Sequence, residues 1–267
     1  MGANNRRILV TGGATFLGQN IVAALLAEGA EVTVLVRPGS EDRLGPLAAR
    51  VRWYTADVWD SASLRGRARG HGTVIHTVGS MVADPAQGLT HHRLNFVSAR
   101  NVVNMCVSDG VPDMVLLSSP RAPWVNGRYL KAKREAEDYL RRVGVRGVVV
   151  RAPLAYLPGQ RRPLVYALMS LLGRIPPLSW THLGRIAPLP VDVIARGVAR
   201  IALETQHNKS IYYAADLRRR NQRNEAELVL APPPLDDDDT HPARRARPFD
   251  MVDEDTPFGW SPRNGPR

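Results

Sequence analysis

The segment RRILVTGGATFLGQN at residues 6–20 constrains the fold of this chain most strongly. An apolar, β-prone run enters a glycine turn, and a helical pattern follows from Phe16. Gly12 permits a tight turn, and Gly18 lets the helix pack closely on the strand. Because a helix N-terminus offers free N–H groups and a positive dipole end, this turn suits a pyrophosphate. The segment predicts a dinucleotide-binding turn, although a strand–turn–helix without a ligand would share the local pattern.

Thr15 occupies the position where a middle glycine normally lets the backbone approach the pyrophosphate. Its β-branched side chain either crowds the phosphates or offers them its hydroxyl group. The neighbouring Gly13 can supply the backbone freedom that Thr15 removes. The predicted cofactor contacts of the turn are Gly12, Gly13, Thr15, Phe16, Leu17 and Gly18.

Strand-like and helix-like segments alternate through the first 204 residues. The predicted strands are 6–12, 31–37, 51–58, 72–79, 113–119 and 146–153. The predicted helices are 16–29, 90–110, 127–144 and 190–204, the first three of which end at glycine. This order predicts an α/β fold, namely a Rossmann-type doubly wound parallel sheet covered on both faces.

The pattern changes after the sixth predicted strand. Apolar, proline-interrupted elements at 154–190 are predicted to form a small cap within a domain that spans 1–216. Residues 217–267 are rich in proline and charge and contain the run DDDD. Such a composition buries little apolar surface, so an extended polar tail, disordered or bound to a partner, is predicted there.

Composition narrows the environment and the partners. The net charge of +11 indicates an anionic ligand, an acidic partner or a membrane surface, or an ordinary solvated surface. No nucleic-acid motif is present, so nucleic acid is not a predicted partner. The single cysteine, Cys106, is predicted to lie in the core, and no metal site is predicted. Without a signal-peptide pattern or a long apolar segment, the chain is predicted to be cytoplasmic, or peripheral on the cytoplasmic face of a membrane.

The end of the second predicted strand bears on cofactor choice. A site that prefers NAD usually has Asp or Glu there, which binds the ribose hydroxyls. This strand ends VLVRPGS, so Arg37 would instead meet a 2′-phosphate. NADP(H) is therefore favoured over NAD(H), although an arginine at the end of a strand is also an ordinary surface residue.

Tyr129 and Lys133 are four residues apart on a predicted helix and so share one face. A tyrosine that exchanges a proton near neutral pH needs a pKa below its usual value of about 10, and an adjacent ammonium lowers it. The lysine can also hold the nicotinamide ribose. The pair predicts proton transfer by Tyr129, assisted by Lys133.

Together these motifs resemble the short-chain dehydrogenase/reductase superfamily in its extended and atypical branches. The resemblance covers roughly residues 6–204 and rests on TGGATFLG and on the pair in RYLKAKREAE. It implies that Asp57, with Val58 beside it, contacts adenine after the third strand. It further implies that the cofactor ribose lies along Thr77, Val78 and Gly79, and that Ser118 or Ser119 holds the substrate carbonyl. Asn95 and the segment Arg151–Pro153 also match patterns of the family.

Two departures from the family leave the activity open. Pro120 stands where many extended members have their operative hydroxyl, and Tyr129 follows Ser119 after only ten residues. This short connection resembles the branch that includes the nucleotide-binding accessory subunit of respiratory complex I. One hypothesis is an NADP(H)-dependent oxidoreductase or epimerase-type enzyme with an unknown small substrate. The alternatives are a non-catalytic NADP(H)-holding subunit, docked to a larger membrane-associated assembly through its tail and basic body, and a regulatory NADP(H) sensor.

Overall fold

The computed structural model of the chain describes residues 6–157 and 185–222. Its centre is a seven-stranded sheet in which every neighbouring pair is parallel, with the order β3-β2-β1-β4-β5-β6-β9. The strands are β1 (Arg7–Thr11), β2 (Glu31–Val36), β3 (Arg52–Thr55), β4 (Thr73–His76), β5 (Asp113–Ser118), β6 (Arg146–Arg151) and β9 (Ile211–Tyr212). A small separate sheet pairs β7 (Ala155–Tyr156) with β8 (Leu189–Pro190). The order confirms the predicted Rossmann-type sheet.

Two apolar layers cover the sheet. The helices are α1 (Phe16–Ala27), α2 (Ser61–Leu64), α3 (Ser98–Asp109), α4 (Gly127–Val143), α5 (Val191–Leu203) and α6 (Ala214–Gln222). α1, α5 and α6 pack on one face, and α2, α3 and α4 pack on the other. β4 and β5 are buried along their whole lengths, including the polar residues at their ends, as is typical of the central strands of a parallel sheet. Cys106 lies in the second layer, fully buried.

Short elements differ most from the sequence prediction. β9, only two residues long, follows α5 and extends the sheet beyond β6, and the sequence analysis did not predict it. The predicted helix at 90–110 is not a single regular helix, because a π-helical turn at Arg93–Val97 precedes α3. A π-turn widens the backbone, and such turns are frequent at functional sites.

The predicted cap and tail lie largely outside the described residues. Ala155 of β7 pairs with Leu189 of β8, so the two ends of the predicted cap segment lie side by side. Residues 158–184 between them are not described. The predicted tail boundary at 217 falls inside α6, where Leu217 is fully buried against Gly197 of α5. Residues 223–267 are not described. Among the helices of the described ranges, none has the length and hydropathy needed to cross a bilayer.

Candidate functional site

The glycine turn between β1 and α1 leaves no room for side chains. Gly12 has φ +74°, in the left-handed region, and a Cβ on it would lie 2.8 Å from Thr77 Oγ1. A Cβ on Gly18 would lie 2.1 Å from the carbonyl oxygen of Gly12, and a Cβ on Gly13 would lie 2.4 Å from a methyl group of Val34. The helix therefore packs directly on the turn, and this bare backbone forms a cradle at the carboxyl ends of the strands.

Thr15 caps α1. Its hydroxyl donates to the Gly12 carbonyl oxygen at 2.8 Å and accepts from the Gly18 N–H at 3.2 Å. An N-cap of this kind satisfies one of the free donors of a helix. The sequence left two roles open, crowding of the phosphates or a hydroxyl offered to them; in the structure the hydroxyl is engaged within the turn.

The backbone of α1 still offers donors to an anion. The Gly18 N–H donates to the Thr15 hydroxyl oxygen, and the Gln19 N–H donates to the Thr15 carbonyl oxygen. The N–H groups of Phe16 and Leu17 precede the first intrahelical bond, where a helix has no acceptor of its own. These two N–H groups fit the role that the sequence predicts for them, contact with a pyrophosphate.

The other predicted cofactor contacts also end strands at this edge of the sheet. Arg37 follows β2 directly, and Thr77, Val78 and Gly79 follow β4. The Thr77 hydroxyl donates to the Thr11 carbonyl oxygen at 2.6 Å, so it ties β4 to β1. Asp57 lies two positions after Thr55, the last residue of β3.

Asp57 and Val58 have structural roles in the loop after β3. One carboxylate oxygen of Asp57 accepts from the Trp59 N–H at 2.9 Å, and its own N–H donates to the Ser63 hydroxyl at 2.9 Å. Val58 is fully buried. The capping role that competes with adenine contact is therefore present, and it leaves the second carboxylate oxygen of Asp57 for a ligand.

Gly79 brings the end of β4 against the middle of α4. A Cβ on Gly79 would lie 2.6 Å from Lys133 Nζ and 2.6 Å from Asn95 Oδ1. Asn95 lies in the π-helical turn, and its amide group exchanges two hydrogen bonds with the backbone of Ser80, at 3.0 and 2.9 Å. The π-turn thus fixes the loop after β4 in front of Lys133.

Tyr129 and Lys133 lie side by side on α4, with Nζ 5.9 Å from the centre of the phenol ring. Both are nearly inaccessible, at 2% and 4% exposure, and Nζ donates to the Leu117 carbonyl oxygen at 3.2 Å. Burial lowers the pKa of Lys133 to about 8, against a smaller opposing effect of Glu137. The structure thus brings the predicted pair together.

The expectation that the pKa of Tyr129 falls below its usual value is wrong. Burial raises the pKa of Tyr129 to about 12, although the Ser119 hydroxyl and Arg134 act in the lowering direction. Desolvation disfavours the phenolate more than the nearby polar groups stabilise it. Tyr129 therefore holds its proton at neutral pH.

The two candidate serines at the end of β5 have separate surroundings. Ser118 donates to the Glu137 carboxylate at 2.6 Å and accepts from Arg134 at 3.2 Å, so its hydroxyl is committed to an ion-pair network. Ser119 donates to the Pro120 carbonyl oxygen at 3.2 Å and faces Tyr129. Of the two, Ser119 lies where a substrate oxygen could meet both its hydroxyl and the phenol.

The network behind Ser118 centres on the fully buried Glu137 of α4. Arg151 of β6 donates to both carboxylate oxygens, at 3.2 and 2.6 Å, and Arg134 also donates to one of them. Burial alone would raise the pKa of Glu137, but bonds from Arg151 and Ser118 and the charge of Arg134 lower it overall. The network fastens α4, and with it Tyr129 and Lys133, to β5 and β6. The sequence analysis did not identify Glu137.

His91 is a second residue that the sequence analysis did not place in the site. Its ring meets the Tyr129 ring edge-on, with centres 6.1 Å apart. Burial lowers its pKa, and the charge of Arg128 acts in the same direction. Neutral His91 therefore packs beside the phenol, whereas His92 turns away toward Phe96 and Glu135.

The burial of Lys133 predicts a stability cost. We expect Lys133→Met to raise the free energy of unfolding at pH 7 by about 3 kcal/mol, because the pKa falls from 10.5 to about 8 and the charged form is disfavoured. The unfolded chain binds the extra proton between those two values, so the advantage of the variant is full below pH 8 and disappears as the pH rises to 10.5. Urea unfolding across this range measures it. Lys131→Met, at an exposed position of the same helix, is the control; equal effects of both variants would contradict the prediction.

Comparisons with known proteins show the family to which the chain belongs. The family model described as NAD(P)H-binding matches residues 12–162, more than half of the chain. The ceramide reductase of Caulobacter vibrioides is 31% identical over 198 residues, which cover 72% of this chain and 60% of that protein. The dTDP-glucose 4,6-dehydratase of Mycolicibacterium smegmatis is 27% identical over 97% of this chain and 88% of that protein. The chain thus spans less than two thirds of the ceramide reductase.

Solved structures share the fold. The Bordetella bronchiseptica enzyme WbmH, in complex with NAD⁺, superimposes with a TM-score of 0.57 at 20% sequence identity, over 78% of this chain and 74% of that one. Its similarity supports the Rossmann-like sheet. Because the family model matches more than half of the chain, this protein belongs to the NAD(P)H-binding family, within the short-chain dehydrogenase/reductase superfamily of its relatives.

Proposed function

We propose that this protein binds NADP(H) at the carboxyl edge of its sheet and reduces a carbonyl substrate there. The observation that carries the proposal is the placement of Tyr129 and Lys133, buried together directly behind Gly79. The residues fit a dinucleotide, since the turn carries no Cβ at Gly12, Gly13 and Gly18 and the N–H groups of Phe16 and Leu17 have no helical acceptor. Phe16 and Leu17 would hold the pyrophosphate, and Lys133 would hold the nicotinamide ribose.

The groups of the chain have distinct roles in this proposal. When bound, the nicotinamide supplies the hydride. Ser119 orients the substrate oxygen, and Tyr129 donates its phenolic proton to that oxygen. Because the pKa of Tyr129 is about 12, the phenol is in the protonated form that reduction requires. Oxidation would instead require a phenolate, which burial disfavours.

Apolar side chains line a cleft of about 10 Å³ beside Ser119, which would have to widen to admit a substrate. Among its lining residues are Met81, Trp124 and Ile186, and Trp124 is 40% exposed. The apolar lining favours an apolar group next to the substrate carbonyl. Titration with NADPH and NADH, followed by a panel of apolar ketones and aldehydes with NADPH oxidation as the readout, tests the proposal. Failure to bind either cofactor would overturn it.

Arg37 tests the cofactor preference separately. We expect Arg37→Asp to weaken NADPH binding about tenfold or more and to improve NADH binding, since a charge-assisted contact with the 2′-phosphate becomes a repulsion. Calorimetric titration with both cofactors measures the change. Arg219→Asp, at an exposed position of α6, gives the same change in net charge as a control. An unchanged preference in Arg37→Asp would remove Arg37 from the site.

The second candidate function is that of a non-catalytic NADP(H)-holding subunit of a membrane-associated complex. Pro120 and the near-complete burial of Tyr129 favour it, because Pro120 supplies no hydroxyl and burial restricts substrate access to the phenol. Purification of the native protein distinguishes the two functions. Comigration with a large assembly, with NADPH bound and no carbonyl reduction, would favour the subunit over the enzyme.

A further inference from the structure

A cavity of about 490 Å³ lies at the amino ends of β1, β2 and β3, on the edge of the sheet opposite the glycine turn. Its walls include Arg7 of β1, Arg52 and Tyr54 of β3, and the loop 66–71 before β4. Its volume lies within the range of small-molecule sites, about 300–1,000 Å³. No role in the proposed reaction involves this edge of the sheet.

The cavity exists because the connection between β3 and β4 is too short to cover the sheet. α2 has four residues and is about 6 Å long, whereas β2 has six residues and is about 20 Å long. α2 follows the carboxyl end of β3, and the loop 66–71 faces the amino half of β2 and β3. A recess remains between that loop and the strands.

Five arginines line this recess, with a single carboxylate among the lining residues. The arginines are Arg7, Arg50, Arg52, Arg67 and Arg69, and the carboxylate is Glu31, which pairs with Arg7 at 3.0 Å. Arg69 lies 3.8 Å from Asp109. Within residues 6–157 and 185–222, no carboxylate lies within ion-pair distance of Arg50, Arg52 or Arg67. The cavity therefore carries excess positive charge.

Hydrogen bonds hold the walls of the cavity in place. The buried carboxylate of Asp109 accepts from the N–H groups of Gly66 and Ala68, at 3.1 and 2.9 Å. His71 bridges the loop to β2, since its ring nitrogens contact the Ala68 carbonyl oxygen at 3.1 Å and the Thr33 hydroxyl at 2.9 Å. Burial lowers the pKa of His71, and Arg7 and Arg52 lower it further, so the histidine adds no charge of its own at neutral pH.

Tyr54 adds an aromatic surface to the arginines. Its side chain is on an edge strand and 45% exposed, and the guanidinium of Arg67 lies 5.3 Å from its ring centre. Planar guanidinium groups bind phosphate through paired hydrogen bonds, and an aromatic ring accepts a flat group against its face. Five arginines around one recess carry more positive charge than a single phosphate group would neutralise, so they suit a ligand with two or more phosphates.

We propose that this cavity is a second ligand site, which binds the polyphosphate group of a small molecule at the edge of the sheet opposite the cofactor turn. Arg50, Arg52, Arg67 and Arg69 contact the phosphates, and Tyr54 packs against the remainder of the ligand. The chemistry is that of two or more linked or neighbouring phosphates, carried either by a soluble metabolite or by a lipid headgroup.

Calorimetric titration of the whole chain with inorganic triphosphate, in excess NADPH that occupies the cofactor turn, tests the site at physiological salt, where the Debye length of about 8 Å screens diffuse attraction. We expect saturable binding of about one triphosphate per chain. Arg50→Ser with Arg52→Ser should weaken it about tenfold or more, because each lost contact is charge-assisted. Arg50→Lys with Arg52→Lys should retain binding at an intermediate strength. A parallel arm with vesicles that contain phosphatidylinositol bisphosphate shows whether a lipid presents the phosphates.

A matched pair of substitutions separates a site from general basicity. Arg142→Ser with Arg219→Ser removes the same charge from exposed positions on α4 and α6 that do not line the cavity. We expect this control to bind triphosphate within about twofold of the unaltered chain, because distant surface charges are screened. Equal weakening by both serine pairs, or no saturable binding in either arm, would overturn the proposal. Circular dichroism confirms that each variant is folded.

Discussion

Replacement of Tyr129 by phenylalanine is expected to lower the rate of carbonyl reduction about 10³-fold, within the range that a positioned proton donor contributes. The affinity for NADPH should stay within about twofold, because the ring remains in place against His91 and only the hydroxyl is lost. Stopped-flow reduction of the best substrate from the panel, together with an NADPH titration, measures both quantities.

Tyr139→Phe is the matched control for this substitution. Tyr139 lies on the same helix, and its hydroxyl donates to Asn104 at 2.7 Å, outside the site. This variant should reduce the substrate at the normal rate. A Tyr129→Phe variant that keeps normal turnover would exclude the phenol as the proton donor. That result would not contradict the proposal that the protein binds NADPH, nor the proposed polyphosphate site at the other edge of the sheet.

Glu137→Gln is expected to lower the free energy of unfolding by about 3 kcal/mol or more. The side chain of Arg151 is 17% exposed, and its guanidinium donates to both carboxylate oxygens of Glu137. The substitution removes the negative charge that balances this guanidinium. Removal of one partner of a buried ion pair leaves an uncompensated charge, which is strongly destabilising. Urea unfolding at neutral pH measures the loss.

Glu135→Gln provides the comparison, since Glu135 lies on the same helix with a side chain 37% exposed and near His92. It should change stability by less than about 0.5 kcal/mol. The pKa of Glu137 is lowered in the folded chain, so its contribution is full above the usual value of 4.5 and decreases as the pH falls. The difference in free energy of unfolding between Glu137→Gln and the unaltered chain should therefore become smaller at acidic pH. A small difference in free energy of unfolding at pH 7 would show that the network does not stabilise the packing of α4.

Much of the fold could be predicted because its signals are local. Each of the six predicted strands corresponds to a strand of the sheet, and Gly12 and Gly18 stand where a side chain would collide with backbone or neighbouring groups. The exceptions are short elements. β9 has two residues, too few for a pattern, and the π-helical turn at Arg93–Val97 depends on the bonds that Asn95 makes to a distant loop.

The candidate site was predicted less completely, because burial and partners come from residues far apart in the sequence. The spacing of Tyr129 and Lys133 placed them on one face, but it could not show that burial outweighs the nearby charges at Tyr129. Nor could it separate Ser118, bound to Glu137, from Ser119, which faces the phenol. Those differences arise where β5, α4 and β6 meet.

The sequence by itself determined the strand–turn–helix at the N-terminus, the alternation that produces a parallel sheet, and the residues that follow the carboxyl ends of its strands. Hydrophobic period and glycine sterics act within a few residues, so they can be read without the fold. Only the tertiary structure decided the protonation of Tyr129 and Lys133, the network at Glu137 and the arginine-lined cavity at the opposite edge. Each of these depends on desolvation and charge among segments that only folding brings together.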